Sequence, residues 1–247
     1  MGGIVQLMKV AFISDVHGNA VALESCTSFL RSKAVDRIFH LGDALGYFPF
    51  ASETIALLSS NNVTCLKGNH EAMALGELEL LADRDSVYGL SSTIASIESD
   101  ERTYISGWAD HIKWSVDGKC VLLVHGSPWN RLEGYVYPDS EKSKFAHVDA
   151  DVVIMGHTHY PFVASHFGKL LINVGSVGLP RDVGHLSSVC IVDTEDWSTN
   201  IFRIPIELDS LRLKAEGRNV HSAVWKCMER WNADYLGKLV NIESSLE

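Results

Sequence analysis

Five times along this chain an apolar, strand-like run ends in a short polar motif of aspartate, asparagine or histidine. The motifs are DVHGN at residues 15–19, GD at 42–43, GNH at 68–70, HG at 125–126 and GHTH at 156–159. Such a chain is restricted to folds in which several strands end at one edge, because carboxyl strand ends of an α/β sheet line a common crevice. The side chains delivered there are oxygen and imidazole donors, the ligand types of divalent transition metals. Several stand beside a glycine, which permits tight turns and close backbone approach.

The patterning between the motifs agrees. Residues 9–14 form a β-branched and aromatic run, and residues 19–34 have helical apolar spacing at Val21, Leu23, Phe29 and Leu30. The alternation repeats with strand-like runs at 37–42 and 63–68 around a helical 51–62, a βαβαβ start that implies parallel strands and right-handed crossovers. Residues 70–111 are mostly helical in pattern, with Leu90, Ile94, Ile97 and Ile105 facing inward. The period then changes to two. Asp117-Gly118 signals a hairpin, 151–155 is a further strand, a second hairpin centres on Gly168-Lys169, and a third spans 187–205. These elements predict two sheets packed face to face with helices outside. From Val220 onward, Val224, Cys227, Met228, Trp231, Tyr235, Leu239 and Val240 fall at helical spacing. An amphipathic helix within a tail at 207–247 is predicted, docked on its own domain or serving a homo-oligomer contact. No linker or internal repeat interrupts residues 1–247, so one domain is expected, with its core at about 9–205.

Composition narrows the partners. The 247 residues carry 21 basic and 31 acidic side chains, a net charge of −10, with no lysine and arginine cluster. A broad phosphate-neutralising surface for a nucleic-acid polymer is therefore not expected. No apolar run is long enough for a membrane helix, and the first residues lack a secretory pattern, so cytoplasmic residence is expected. Five cysteines without CxxC spacing suggest neither a disulfide framework nor a thiolate zinc site.

Each motif taken alone has a plain structural explanation. Asp15 and Asn19 could cap the first helix, Asp43 and Asn69 could be turn formers, and His125 could be a satisfied core histidine. Five turns delivering metal-type donors to one edge have no such economical explanation, and together they point to a metal site.

In this order, D-x-H, G-D, G-N-H, a histidine after an apolar run and G-H-x-H resemble the calcineurin-like metallophosphoesterase superfamily. The strings DVHGN, LGDALGY, GNHE, LVHGSP, GHTHYPF and NVGSVGLPRD are similar to its compact bacterial and archaeal branch. The resemblance implies an α/β fold, a four-layer αββα sandwich with a dinuclear metal site at the carboxyl ends of the strands. Carried over by position, Asp15, His17, Asp43 and His159 would hold one divalent ion and Asp43, Asn69, His125 and His157 the other, so that Asp43 bridges. Manganese, iron, zinc and nickel all suit a ligand set without sulfur. The implied reaction is hydrolysis of a phosphodiester or phosphomonoester by direct attack of a metal-bridging hydroxide. His70, not a ligand in the family, would hydrogen-bond the phosphate or protonate the leaving group. The alternative is a non-catalytic protein-binding scaffold on the same fold, against which the retention of His70 speaks.

The expected substrate is small and phosphorylated. Phosphoprotein phosphatases of the superfamily carry an arginine where this chain has Tyr47, which speaks against phosphoproteins. Tyr47, Phe48, Trp129, Tyr135 and Tyr137 flank the motifs and could stack a nucleotide base or simply pack loops. Asn19 and Tyr47 are candidate substrate contacts. Arg131 and Arg181 could contact phosphate or could pair with acidic neighbours such as Asp182.

Overall fold

The computed structural model describes residues 7–240. The βαβαβ start is present as strand β1 (Lys9–Ile13), helix α1 (Ala20–Ser32), β2 (Arg37–His40), α2 (Ala51–Ser60) and β3 (Thr64–Cys65). α1 begins where Asn19 caps it, its side chain accepting the Ala22 N–H at 3.1 Å. The helical stretch that follows is four short helices, α3 (Asn69–Ala74), α4 (Ala82–Tyr88), α5 (Leu90–Ser96) and α6 (Ser99–Ser106). Leu90 and Ile105 are buried, and Ile94 and Ile97 pack partly buried against the same core.

The second half supplies β4 (His111–Val116), β5 (Lys119–Val124), β6 (Val152–Met155), β7 (Phe162–His166), β8 (Lys169–Asn173), β9 (Leu186–Asp193) and β10 (Thr199–Pro205). One sheet has the order β4-β5-β6-β8-β7, with β5, β6 and β8 parallel and β4 and β7 antiparallel at its edges. The third hairpin does not join it. β9 instead pairs antiparallel with β1, which completes a first sheet of order β11-β10-β9-β1-β2-β3, its edge strand β11 being Lys238–Leu239. The second hairpin turns one residue earlier than the sequence suggested, on Phe167 and Gly168, both at positive φ. Asp117 and Gly118 turn the same way.

Period two explains how apolar runs serve two cores at once. In β1, Val10 and Phe12 face the other sheet while Ala11 and Ile13 face the helices. In β5 and β6, Val121, Leu123, Val152 and Ile154 fill the space between the sheets, and Leu122, Val124, Val153 and Met155 face outward beneath the 3-10 turn Ser143–His147 and its Phe145. The molecule is thus an α/β sandwich of two mixed sheets flanked by helices.

The tail differs from its sequence pattern. Helix α7 (Leu208–Lys214) and helix α8 (Ser222–Met228) form, but the periodicity beyond Met228 is not helical. Lys238 and Leu239 form a short strand β11, parallel to β10. Val224, Cys227 and Met228 are buried, whereas Trp231 and Leu239 are 64% and 52% exposed. The physical reason lies in β10, whose outer edge offers backbone partners that a continued helix would leave unused. Residues 241–247 of the tail lie outside the described residues.

Candidate metal centre

The carboxyl ends of β1, β2, β3, β5 and β6 bring all seven expected ligand positions and His70 into one buried crevice. Asp15, His17, Asp43, Tyr47, His157 and His159 all sit at positive φ between 52° and 64°. This left-handed geometry costs a residue with a side chain about 1–2 kcal/mol. It lets a strand turn sharply enough to aim its next side chain back into the crevice.

Backbone carbonyls orient the imidazoles. Nδ1 of His17 meets the Leu45 carbonyl at 3.1 Å, Nδ1 of His125 meets that of Leu41 at 2.9 Å, and Nδ1 of His159 meets that of Leu179. A carbonyl only accepts, so each Nδ1 carries a proton and each ring directs its Nε2 into the crevice, where it can offer a lone pair to a metal. There, acceptors face acceptors. His17 Nε2 and His159 Nε2 are 3.1 Å apart, and Asp15 Oδ1 lies 3.2 Å from His159 Nε2 with no hydrogen-bond donor of its own. On the other side His125 Nε2 lies 3.1 Å from both Asn69 Oδ1 and His157 Nδ1, and 3.4 Å from Asp43 Oδ2. Lone pairs converging at these distances inside a protein need a cation. The donor atoms group into Asp15-His17-His159 and Asp43-His125-His157, with His17-Asp43-His70 between them. Asp43 Oδ2 is the oxygen common to the middle, 3.8 Å from His17 Nε2 and 3.9 Å from His70 Nε2. The residues fit a pair of divalent ions.

Charge follows the same division. Burial works against the Asp15 charge, yet His159 and His17 hold its carboxyl well below the usual range. Asp43 is lowered likewise, its burial outweighed by His125, His70 and His17. Burial also disfavours a charged His125, but Asp43 pushes it up to about 9, so in the metal-free protein a proton takes the place suited to a cation. Burial pushes His70 and His157 down to about 3 and His159 to about 4.

Glu71, the last residue of GNHE, is a part of the site that sequence reasoning passed over. Its buried carboxylate accepts the N–H groups of Asp43, Ala44, Leu45 and Gly68 at 2.7 to 3.1 Å. It ties the Asp43 loop to the turn that carries Asn69 and His70. A glutamate three residues after Gly68, at the third position of a helix, was the available signal. Gly68 is required here because a Cβ would run into the Asp43 carboxylate, and Gly46 because a Cβ would meet the His70 ring.

The substrate candidates divide. Asn19 is spent on structure, since its amide also donates to the Gly178 carbonyl at 2.9 Å. Arg131 is not brought to the crevice; its exposed guanidinium pairs with Asp110 at 3.1 Å. Phe48 is core and Trp129 packs on Phe145, away from the ligands. Tyr47 stacks on His70 with ring centroids 5.3 Å apart, Tyr135 lies 4.2 Å from His157, and Tyr137 stacks on Tyr135. Arg181 is partly buried beside Tyr47.

Comparison with known proteins agrees with this geometry. Residues 8–197 match the model of the calcineurin-like phosphoesterase superfamily domain. An uncharacterised protein of Methanocaldococcus jannaschii is 30% identical over 218 residues, 81% of this chain and 88% of that protein. The crystal structure of a metallophosphoesterase from Sphaerobacter thermophilus is 25% identical with a TM-score of 0.76, covering 91% of this chain and 99% of that one. A hypothetical protein from Pyrococcus horikoshii shares the fold at 18% identity with a TM-score of 0.77, over 90% of this chain and 98% of that one. With its crevice holding the donors for two divalent metals, the chain belongs to the calcineurin-like phosphoesterase superfamily and is built as a metal-dependent phosphohydrolase.

Proposed function

We propose that the chain hydrolyses a small phosphorylated molecule, a phosphomonoester or phosphodiester, at the crevice. The observation that carries this reading is the convergence of two sets of lone pairs on either side of Asp43 Oδ2. In this assignment Asp15, His17 and His159 would hold one ion, Asn69, His125 and His157 would hold the other, and Asp43 would serve both. When bound, the ions activate water as the nucleophile and offset negative charge on the phosphoryl group.

The protein's own residues set the stage for that step. The Leu41, Leu45 and Leu179 carbonyls fix which imidazole nitrogen faces inward, so the ligands need little rearrangement. His70 is held by its own backbone N–H, which donates to Asp43 Oδ1 at 2.9 Å, and its ring lies against Tyr47 and Tyr88. Burial keeps that ring neutral at pH 7, which favours hydrogen-bond donation to a phosphoryl or leaving oxygen over transfer from an imidazolium. Its Nδ1 has no partner in the protein.

The half-exposed Tyr135 beside His157 supports a nucleotide as the substrate, with its base on that ring. Manganese is the proposed metal among those the donor set accepts. Among the described residues no helix is long and apolar enough to cross a membrane, in keeping with the proposed cytoplasmic location. The exposed Trp231 and Leu239 would support a contact between copies through the tail.

The test is turnover of para-nitrophenyl phosphate and bis-para-nitrophenyl phosphate by protein loaded with manganese, nickel or zinc. Hydrolysis of at least one ester, abolished by chelation, is expected. No hydrolysis of either with any metal would overturn the reading in favour of a scaffold.

A further inference from the structure

The loop between β8 and β9 is tied down at nearly every residue. The Gly178 carbonyl accepts from Asn19, the Leu179 carbonyl from His159 Nδ1, and the Pro180 carbonyl from Cys227 Sγ at 3.5 Å. Arg181 donates its backbone N–H to the His159 carbonyl, and the Gly184 N–H donates to the Arg230 carbonyl. Asp182 makes a two-pronged pair with the fully buried Arg203, at 2.6 and 2.8 Å.

That last pair decides a question the sequence left open. Asp182 could have neutralised Arg181, but its two oxygens are taken by Arg203, from another strand. Among the described residues Arg181 has no carboxylate within ion-pair distance, its acidic neighbour Asp182 being held by Arg203, and its side chain lies against the Tyr47 phenol, whose ionisation burial disfavours. A guanidinium is always charged, and one held partly out of water without a counter-ion is costly unless an anion arrives. Its backbone is fixed to ligand His159 and its side chain lies beside Tyr47, whose ring stacks on His70. The free charge therefore stands at the rim of the metal centre, on a loop that cannot relax away.

We propose that Arg181 is a specificity-determining residue that selects phosphomonoesters, pairing with a phosphoryl oxygen that the two ions do not take. This rests on the phosphoesterase reading given above. A monoester dianion has three nonbridging oxygens, so two ions can each take one and leave a charged third for a guanidinium. A diester has only two, and its third position carries a carbon substituent with no charge to offer. Asp182 and Arg203 act as positioning residues, because they set the loop and leave Arg181 unpaired.

The test compares kcat/KM for para-nitrophenyl phosphate and bis-para-nitrophenyl phosphate in the metal-loaded wild type, Arg181→Ala and Arg181→Lys, with metal content measured on each. In Arg181→Ala a loss of about 100-fold on the monoester, with at most about a threefold loss on the diester and both metals kept, is expected. Arg181→Lys should recover part of the monoester rate, since it restores charge without the planar fork. Equal losses on both esters, or no loss on either, would overturn the proposal, as would a wild type that prefers the diester. Calorimetry with inorganic phosphate on the same metal-loaded proteins needs no turnover. Binding at least about 10-fold weaker in Arg181→Ala is expected, and unchanged binding overturns the proposal. A wild type that hydrolyses neither ester breaks the functional reading, while the phosphate titration still decides the role of Arg181.

Discussion

The crevice and the loop joint behind it are both built from buried charged residues, yet they are wired in opposite ways. In the joint, donors meet acceptors: Arg203 grips Asp182, and behind the Asp43 loop Glu71 likewise collects four backbone N–H groups. In the crevice, acceptors meet acceptors, with the Nε2 atoms of His17 and His159 facing each other across 3.1 Å and Asp15 Oδ1 left without a donor. A buried polar group that serves the fold finds its partner within the chain, whereas one that serves a ligand waits for something from outside. Burial and charge are the same in both regions, so the sign of the missing partner is what separates them.

The strongest way to break this contrast is at Asp43, the carboxylate between the two ligand sets. Asp43→Asn removes one oxygen and should leave fewer than two metal equivalents by elemental analysis, with near-complete loss of turnover. A full complement of metal would remove Asp43 from its shared position. His70→Ala acts on the chemistry alone: turnover should fall about 10²- to 10⁴-fold with both metals retained. Loss of metal with activity would instead place His70 among the ligands, as its membership in the middle group of donors allows.

On the closed side, Glu71→Gln replaces an oxygen acceptor by an N–H₂ that faces backbone N–H groups. It should destabilise the fold by about 2–4 kcal/mol, read from chemical denaturation, and disturb the Asp43 loop with it. A variant as stable as the parent would show that the four bonds do not hold the loop.

His40 sharpens the boundary between the two regions. It is fully buried beneath the crevice, with neither ring nitrogen partnered and Trp108 beside it, and it belongs to no ligand group. Burial pushes it down to about 3, against about 6.5 in an unfolded chain. The unfolded state therefore takes up a proton first as pH falls. The stability contributed is fully present above about 6.5 and is lost as pH drops toward 3, in company with His70, His157 and His159. In metal-free protein, His40→Phe should flatten the dependence of stability on pH between 6.5 and 4.5 by up to about 1.4 kcal/mol per pH unit. An unchanged slope would mean that His40 does not stay neutral in the native state.

Much of this was legible in the sequence because periodicity and motif position are local signals. Runs such as residues 9–14 and 151–155 alternate between two cores, and polar residues directly after them had to fall at one edge. What was not legible depended on contacts far along the chain. β9 left the hairpin series to pair with β1, a choice made by two surfaces and not by either strand. The apolar spacing of Trp231 and Tyr235 fits a helix, but β10 offered an open edge and the chain took it at Lys238 and Leu239. Arg181 and Arg131 looked alike in sequence, and only their neighbours tell them apart: Asp110 takes Arg131, while Arg203 removes the acid that Arg181 could have used. Glu71 was visible in its motif but carried no chemistry of its own to single it out.

The central claim, that opposed lone pairs mark two separate cation positions, is tested most directly by counting metal ions in the purified, chelator-stripped and reloaded protein and in His157→Ala and His159→Ala. Two equivalents are expected in the parent, with each histidine variant weakening a different one, so that calorimetric titrations lose opposite steps. A single equivalent in the parent, or loss of the same step in both variants, would contradict it.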